Sequence, residues 1–167
     1  RGYAPLSLPL PFPVKEILAG GAELKNTFCL TKKEYAFMSQ HIGNLESYET
    51  YETYKEAVAY FERLFRINPQ LLAYDKHPDY LATTYILNRA NQEGIAAIGV
   101  QHHHAHIASC MADNMIPKGK SVIGVAFDGT GYGDDGAIWG GEFFIADYQR
   151  YQRHYHLAYI GLPGGDA

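Results

Sequence analysis

The chain has 167 residues, 47% of them hydrophobic and 14% aromatic, with 14 basic against 18 acidic side chains for a formal net charge of -4. That is enough apolar material to bury a core on the scale of one domain or slightly more, and the acidic balance gives no electrostatic reason to expect nucleic acid or an anionic membrane as a partner. No apolar run is long enough to span a bilayer, the start is not of the signal-peptide kind, and Cys29 and Cys110 have neither zinc-knuckle nor redox-pair spacing, so the sequence reads as soluble and cytoplasmic.

The opening "RGYAPLSLPLPFPVK" has four prolines between Pro5 and Pro13. Residues 1–14 are therefore expected to form an extended linker arriving from an upstream domain. "EILAGGAELKNTFCLT" and "YAFMSQHIG" contain three short apolar-rich runs, divided by Gly20-Gly21 and by the charged Thr31-Lys32-Lys33-Glu34, which suggests a β-meander. In "ESYETYETYKEAVAYFERLFRIN", Tyr54, Val58, Phe61, Leu64 and Phe65 recur at helical spacing up to a stop at Asn68-Pro69. The aromatic stripe Tyr48, Tyr51 and Tyr54 is read as packing rather than base stacking.

"DKHPDYLATTYILNRANQEG" predicts a second helix, capped by Asp79, running to about Asn91 with Gly94 beyond its end. A short strand in "IAAIGVQ" leads into a helix, "HHAHIASCMADN". A turn at Pro117-Lys118-Gly119 precedes the buried strand "SVIGVAFD". "GTGYGDDG" reads as a glycine-rich turn, in which Asp134-Asp135-Gly136 closes a hairpin, and "AIWGGEFFIADY" and "RYQRHYHLAYI" as two further strands. Strands followed by helix–strand alternation and then a fresh hairpin make a mixed α/β chain. The expected organisation is a first ribonuclease-H-like lobe over 15–120 and the opening strands of a second, truncated lobe over 121–167. Both ends read as cuts through a longer polypeptide.

Half of the eight histidines fall within five consecutive positions, in "GVQHHHAHIASCMADN". Helix positions four apart share a face, with Cβ atoms about 5 to 6 Å apart, which suits two imidazoles on one metal ion. His103, Ile107, Cys110 and Met111 form an apolar stripe, whereas His102, His106, Ser109 and Asp113 form a polar one. His102 and His106 are therefore the better ligand pair, with His103 at the edge of the core. Spacing alone leaves a solvated helix start as the competing reading, and two imidazoles are too few for a catalytic metal. Asp128, where the buried strand gives way to glycine, is the candidate third ligand. Gly129, Thr130 and Gly131 are candidates to bring backbone N–H groups close to a phosphate.

Together, "VQHHHAHIASCMADN" and "AFDGTGYGDDGAIWGGEFF" resemble the HypF family, the carbamoyltransferases of nickel–iron hydrogenase maturation. "RGYAP", "GAELKNTFCL", "SQHIGNLESYET" and "DKHPDYLATTY" continue the resemblance upstream in the family's order. It implies the front part of a carbamoyl-transfer domain with an actin-like ATPase (ASKHA) fold, similar to the tRNA threonylcarbamoyl transferases. It implies further that the opening residues follow a YrdC-like domain, and that another metal-binding aspartate and the adenosine-binding glycines lie in the part of the second lobe missing from this chain. By the same resemblance His102, His106 and Asp128 are metal ligands, with zinc and iron both suited to them. Lys25 and Asn26 in "AELKNTF" are candidates for the first phosphate-contacting turn, and Gly129, Thr130 and Gly131 for the second. Asn44 departs from the family, which commonly has an aspartate there.

The family reaction consumes carbamoyl phosphate and ATP, passes through carbamoyl adenylate, and carbamoylates the C-terminal cysteine of HypE. The implied partners are thus HypE and the rest of a HypF chain, and the implied cofactors are a divalent metal and ATP. The isolated chain is expected to be inactive or nearly so. Two other classes stay open: O-carbamoylation of a small molecule, and a non-enzymatic metal-handling module. Because neutral imidazoles must bind, metal occupancy is expected to fall as pH drops through about 6.

Overall fold

The computed structural model describes residues 4–161. The first three residues of the expected linker and the last six of the expected second lobe lie outside the described residues. β1 (Ser7–Ala19) and β2 (Cys29–Met38) form a long antiparallel pair. α1 (Tyr48–Phe65), β3 (Leu71–Asp75), α2 (Leu81–Glu93) and β4 (Ala97–Val100) follow, with β3 parallel to both β1 and β4. The resulting sheet has the order β2-β1-β3-β4. α3 (His102–Asp113) then leads into an antiparallel sheet of β5 (Val122–Tyr132), β6 (Ile138–Ala146) and β7 (Tyr151–His156), in that order. No helix among the described residues is long and apolar enough to cross a membrane.

The proline-rich opening is not a free linker, because β1 begins at Ser7. Its prolines are tolerated because β1 there has one strand neighbour among the described residues. It pairs with β2 from Ser7 to Pro9, slips register before Val14, and meets β3 only at Ile17–Ala19. A residue without an N–H costs nothing on an unpaired side. The expected three-strand meander is two strands. Lys32, Lys33 and Glu34 remain inside β2, an edge strand that takes charges on its open side, with Lys33 in the left-handed region at φ 55° and exposed. The extra residues at the two register slips lie in β1, so β2 runs on without a reversal of chain direction.

α1 ends at Phe65, where Arg66 turns left-handed, three residues ahead of the proline. Tyr54 on its inner face is fully buried, donates its hydroxyl to the Gly20 carbonyl at 3.1 Å, and meets Phe28 and Tyr85 edge-on. α2 starts at Tyr80 without a side-chain cap, so Asp79 does not serve there. The Glu23 carboxylate instead accepts the Leu81 N–H at 2.7 Å from 58 residues away. Gly94 closes α2 in the left-handed region, as its position predicts.

β3 is the element that the sequence reading passes over. "LLAYD" is five residues long and lies between two parallel partners, so it shows a brief apolar run rather than alternation. Leu72, its second residue, is fully buried in the core with Leu18, Phe28, Val58, Phe61 and Ile86. A second core joins α3 to the β5–β7 sheet through Ile107, Met111, Trp139 and Phe144. The glycine-rich stretch is likewise not one turn. β5 continues through Gly129–Tyr132 with a register slip between Phe127 and Gly131, and the reversal is confined to residues 133–136.

Truncating the β3 core residue, Leu72→Ala, is expected to cost about 2–5 kcal/mol by denaturant unfolding; a cost typical of a surface site would show that β3 is not a core strand.

Candidate metal centre

The register of the first sheet brings the parts of this centre together. Asp75 ends β3 opposite Val100, the last residue of β4, so it lies beside the first residue of α3. Gln101 caps α3: its side-chain carbonyl accepts the His104 N–H at 3.0 Å, and its amide donates to the Tyr132 carbonyl at 3.1 Å. One buried side chain therefore starts the helix and ties it to the end of β5. α3 lies close on β5 because two β5 positions lack a side chain. A Cβ on Gly124 would stand 2.3 Å from Ile107 Cδ1, and one on Gly131 would stand 2.1 Å from His103 Cε1.

This seating puts His102 between two carboxylates. Its Nδ1 lies 2.6 Å from Asp75 Oδ2 and its Nε2 lies 2.9 Å from Asp128 Oδ2. His106, one turn along, brings its Nε2 to 3.2 Å from His102 Nε2 and 3.8 Å from Asp128 Oδ2. Donor atoms of His102, His106 and Asp128 all lie within 4.8 Å of one another. The hydrogen bond that the His102 ring donates to Asp75 is the largest influence on the His102 pKa, and together with the nearby Asp128 charge it raises that pKa above the ordinary imidazole value against the opposing effect of burial.

The other two histidines of the run face elsewhere. His103 is fully buried against Gly131, and desolvation, helped by the neighbouring His102, holds its pKa down. His104, also buried, places Nε2 2.7 Å from the Asp147 carbonyl and packs on Tyr151.

A cleft of about 600 Å³ opens beside the three donors and is lined as well by Gly21, Lys25 and Asn26. Lys25 is exposed in the left-handed region at φ 51°. Asn26 is buried, and its amide donates to the Gly20 and Ala22 carbonyls, so it holds the turn that presents Lys25. The second expected phosphate turn is arranged differently. Gly129 donates its N–H to Asp128 Oδ1 at 2.7 Å, Gly131 lies under His103, and the Thr130 side chain lies outside the described residues. Asn44 makes a local turn, accepting the Glu46 N–H at 3.2 Å. Asp75 is quoted in "DKHPDY" but not singled out along the chain, because the strand that it ends is passed over; an acid ending the run "LLAYD", just before "KHP", is the signal that could have found it.

The two sheets and this site define a small mixed α/β domain with a candidate metal centre at the start of a helix. The HypF Kae1-like domain family matches residues 13–113, and its second subdomain matches residues 124–167. The chain belongs to the HypF Kae1-like domain family. It is similar to carbamoyltransferase HypF2 of Cupriavidus necator, with 45% identity over 166 residues that cover 99% of this chain and 20% of the relative. Its fold is similar to the crystal structure of T. kodakarensis HypF, with a TM-score of 0.90 and 43% identity over 99% of this chain and 22% of that one. A similar match is to full-length HypF in the phosphate- and nucleotide-bound form, with a TM-score of 0.88 and 46% identity over 95% of this chain and 20% of that one. The chain thus spans about a fifth of the length of these relatives.

Replacing His102 and His106 together by alanine is expected to abolish stoichiometric zinc binding in equilibrium dialysis, and metal retained at one equivalent would refute the assignment. Because the folded protein holds the His102 proton above the ordinary imidazole range, acid must compete with zinc from a correspondingly higher pH. Affinity should fall as pH drops through the raised pKa and level off above it; a flat profile through that range would contradict the ligand role of His102.

Proposed function

We propose that this chain forms the metal- and phosphate-binding wall of the transfer cleft in a HypF-type carbamoyltransferase of hydrogenase maturation, with an actin-like ATPase fold completed by further polypeptide. The observation that carries this reading is the convergence of His102, His106 and Asp128 on a cleft shared with the Lys25 turn. Two imidazole nitrogens and one carboxylate oxygen suit zinc or iron, and three protein ligands leave room for a substrate oxygen. His102 and His106 would bind through Nε2 and Asp128 through its carboxylate. A divalent ion held there supplies Lewis-acid polarisation of a carbonyl or phosphoryl oxygen, an effect of several kcal/mol.

The chain's own groups do the rest. Lys25 brings a positive charge on a short turn toward the anionic end of carbamoyl phosphate or of the carbamoyl adenylate made with ATP. Gly129, whose N–H is held by Asp128 Oδ1, would steady that carboxylate beside the cleft. Burial of His103 and His104 restricts metal chemistry to one face of α3. The acceptor is the C-terminal cysteine thiolate of HypE, and the setting is the cytoplasm.

Grafting tests this reading. The chain would replace the matching fifth of a HypF-type carbamoyltransferase, and thiocarboxamide formation on a HypE tail peptide would be followed by mass spectrometry. The hybrid is expected to be active and to lose at least 100-fold with Asp128→Ala. Transfer to sugar hydroxyls in place of the thiol, or activity indifferent to Asp128, would overturn the proposal. The isolated chain is expected to bind zinc yet to show little or no transfer.

A further inference from the structure

A neutral imidazole carries one N–H and one lone pair, and the hydrogen bond at one nitrogen decides which nitrogen is left to bind a metal. At His102 that choice is contested by two acids. Asp75 Oδ2 stands 2.6 Å from Nδ1, and Asp128 Oδ2 stands 2.9 Å from Nε2. We infer that Asp75 is a positioning residue for the candidate metal centre: it takes the Nδ1–H of His102 and thereby leaves the Nε2 lone pair facing Asp128 and His106. This rests on the reading of His102, His106 and Asp128 as ligands.

Three observations favour Asp75 in this contest. It makes the shorter contact of the two. Its side chain is 9% exposed against 30% for Asp128, so less water competes for the bond. It is also held in place independently of His102: its Oδ1 accepts the His77 N–H at 2.9 Å, and its main-chain carbonyl accepts the Thr83 hydroxyl at 2.8 Å. Its β3 position pairs with Val100, two residues before His102, so sheet register sets its distance from the ring.

Asp75 is not one of the donors that converge with His106. It stands on the far nitrogen of the ring, where it orients a ligand without being one. Without it the ring can rotate, and the single proton can settle on Nε2 against Asp128, where it blocks the metal. Loss of such a supporting carboxylate typically weakens metal binding by about 10–100-fold.

The experiment compares the wild-type chain, Asp75→Ala and Asp75→Asn by zinc titration with a competing chelator. Metal-free samples, held at a pH where His102 is neutral, are examined by long-range nitrogen–proton NMR to identify the His102 tautomer. Wild type is expected to carry the proton on Nδ1. Asp75→Ala should move it to Nε2 and weaken zinc binding by about 10–100-fold. Asp75→Asn, whose amide oxygen can still accept the Nδ1–H, should restore the tautomer and part of the affinity.

The tautomer is read without metal, so this proposal can fail while the ligand reading stands. An unchanged tautomer in folded Asp75→Ala, or wild-type zinc affinity in that variant, would overturn it. Should Asp75→Ala fail to fold, Asp75→Asn decides: a proton found on Nε2 in a folded Asp75→Asn with full zinc affinity would sink it. A loss far beyond this range, with one oxygen neighbour fewer around zinc by X-ray absorption, would make Asp75 a ligand and refute the positioning role. Failure of the wild type to bind zinc would refute the ligand reading itself.

Discussion

The architecture turns on one imidazole ring held between two sheets. His102 reaches Asp75 on β3 with one nitrogen and Asp128 on β5 with the other. Each contact requires the helix that carries it to begin at one place and to lie close on both sheets. Gln101 sets the start by capping α3 and bonding to the end of β5. Gly124 and Gly131 set the closeness, because a methyl group at either would enter Ile107 or His103. The centre is thus a consequence of how α3 is seated, and a shift of the helix would carry both imidazoles away from Asp128 at once.

Around this ring the polar groups divide by how far they are removed from water. The bridge from Lys76 to Asp134, at 2.7 Å and about two-fifths exposed, joins the end of β3 to the β5–β6 reversal. Exposed pairs of this kind contribute about 0–1 kcal/mol, so it adds little stability. Arg153 and Glu142 are different. The Glu142 carboxylate is buried under β7, meets the guanidinium at 2.5 Å, and the guanidinium also lies 4.1 Å from the centre of the Trp139 ring. Removing one partner there would strand a buried charge, a much larger penalty than loss of a surface pair. The turn that carries Lys25 is built in the same way, by the buried Asn26 amide on two carbonyls and by Glu23 reaching the start of α2.

The elements legible in the sequence are those whose pattern is local. α3, the end of α2 at Gly94, the inner face of α1 and strands β4, β6 and β7 stand close to where periodicity and turn residues put them. The misread places share a cause. Prolines in β1, charges inside β2 and glycines inside β5 signal breaks when the chain is read along itself. A strand paired on one side only, or one that bulges, accepts them. β3 is not legible along the chain because four apolar residues and an acid between two helices carry no period of their own.

The candidate site divides along the same line. The division of the histidines is a property of the helical repeat: four-residue spacing puts His102 and His106 on the polar stripe, and an apolar stripe draws His103 inward. Those facts need only 3.6 residues per turn and the identity of the neighbours. The meeting of Asp75 with His102 needs β3 to align with β4, and the meeting of Asp128 with the same ring needs β5 to lie under α3 without side chains in the way. Sequence by itself therefore determined which histidines could act as a pair. Tertiary structure decided that Asp75 joins the Asp128 already singled out along the chain, and which nitrogen each one meets, because those contacts join residues more than 20 positions apart through sheet register and close packing, which no local pattern records.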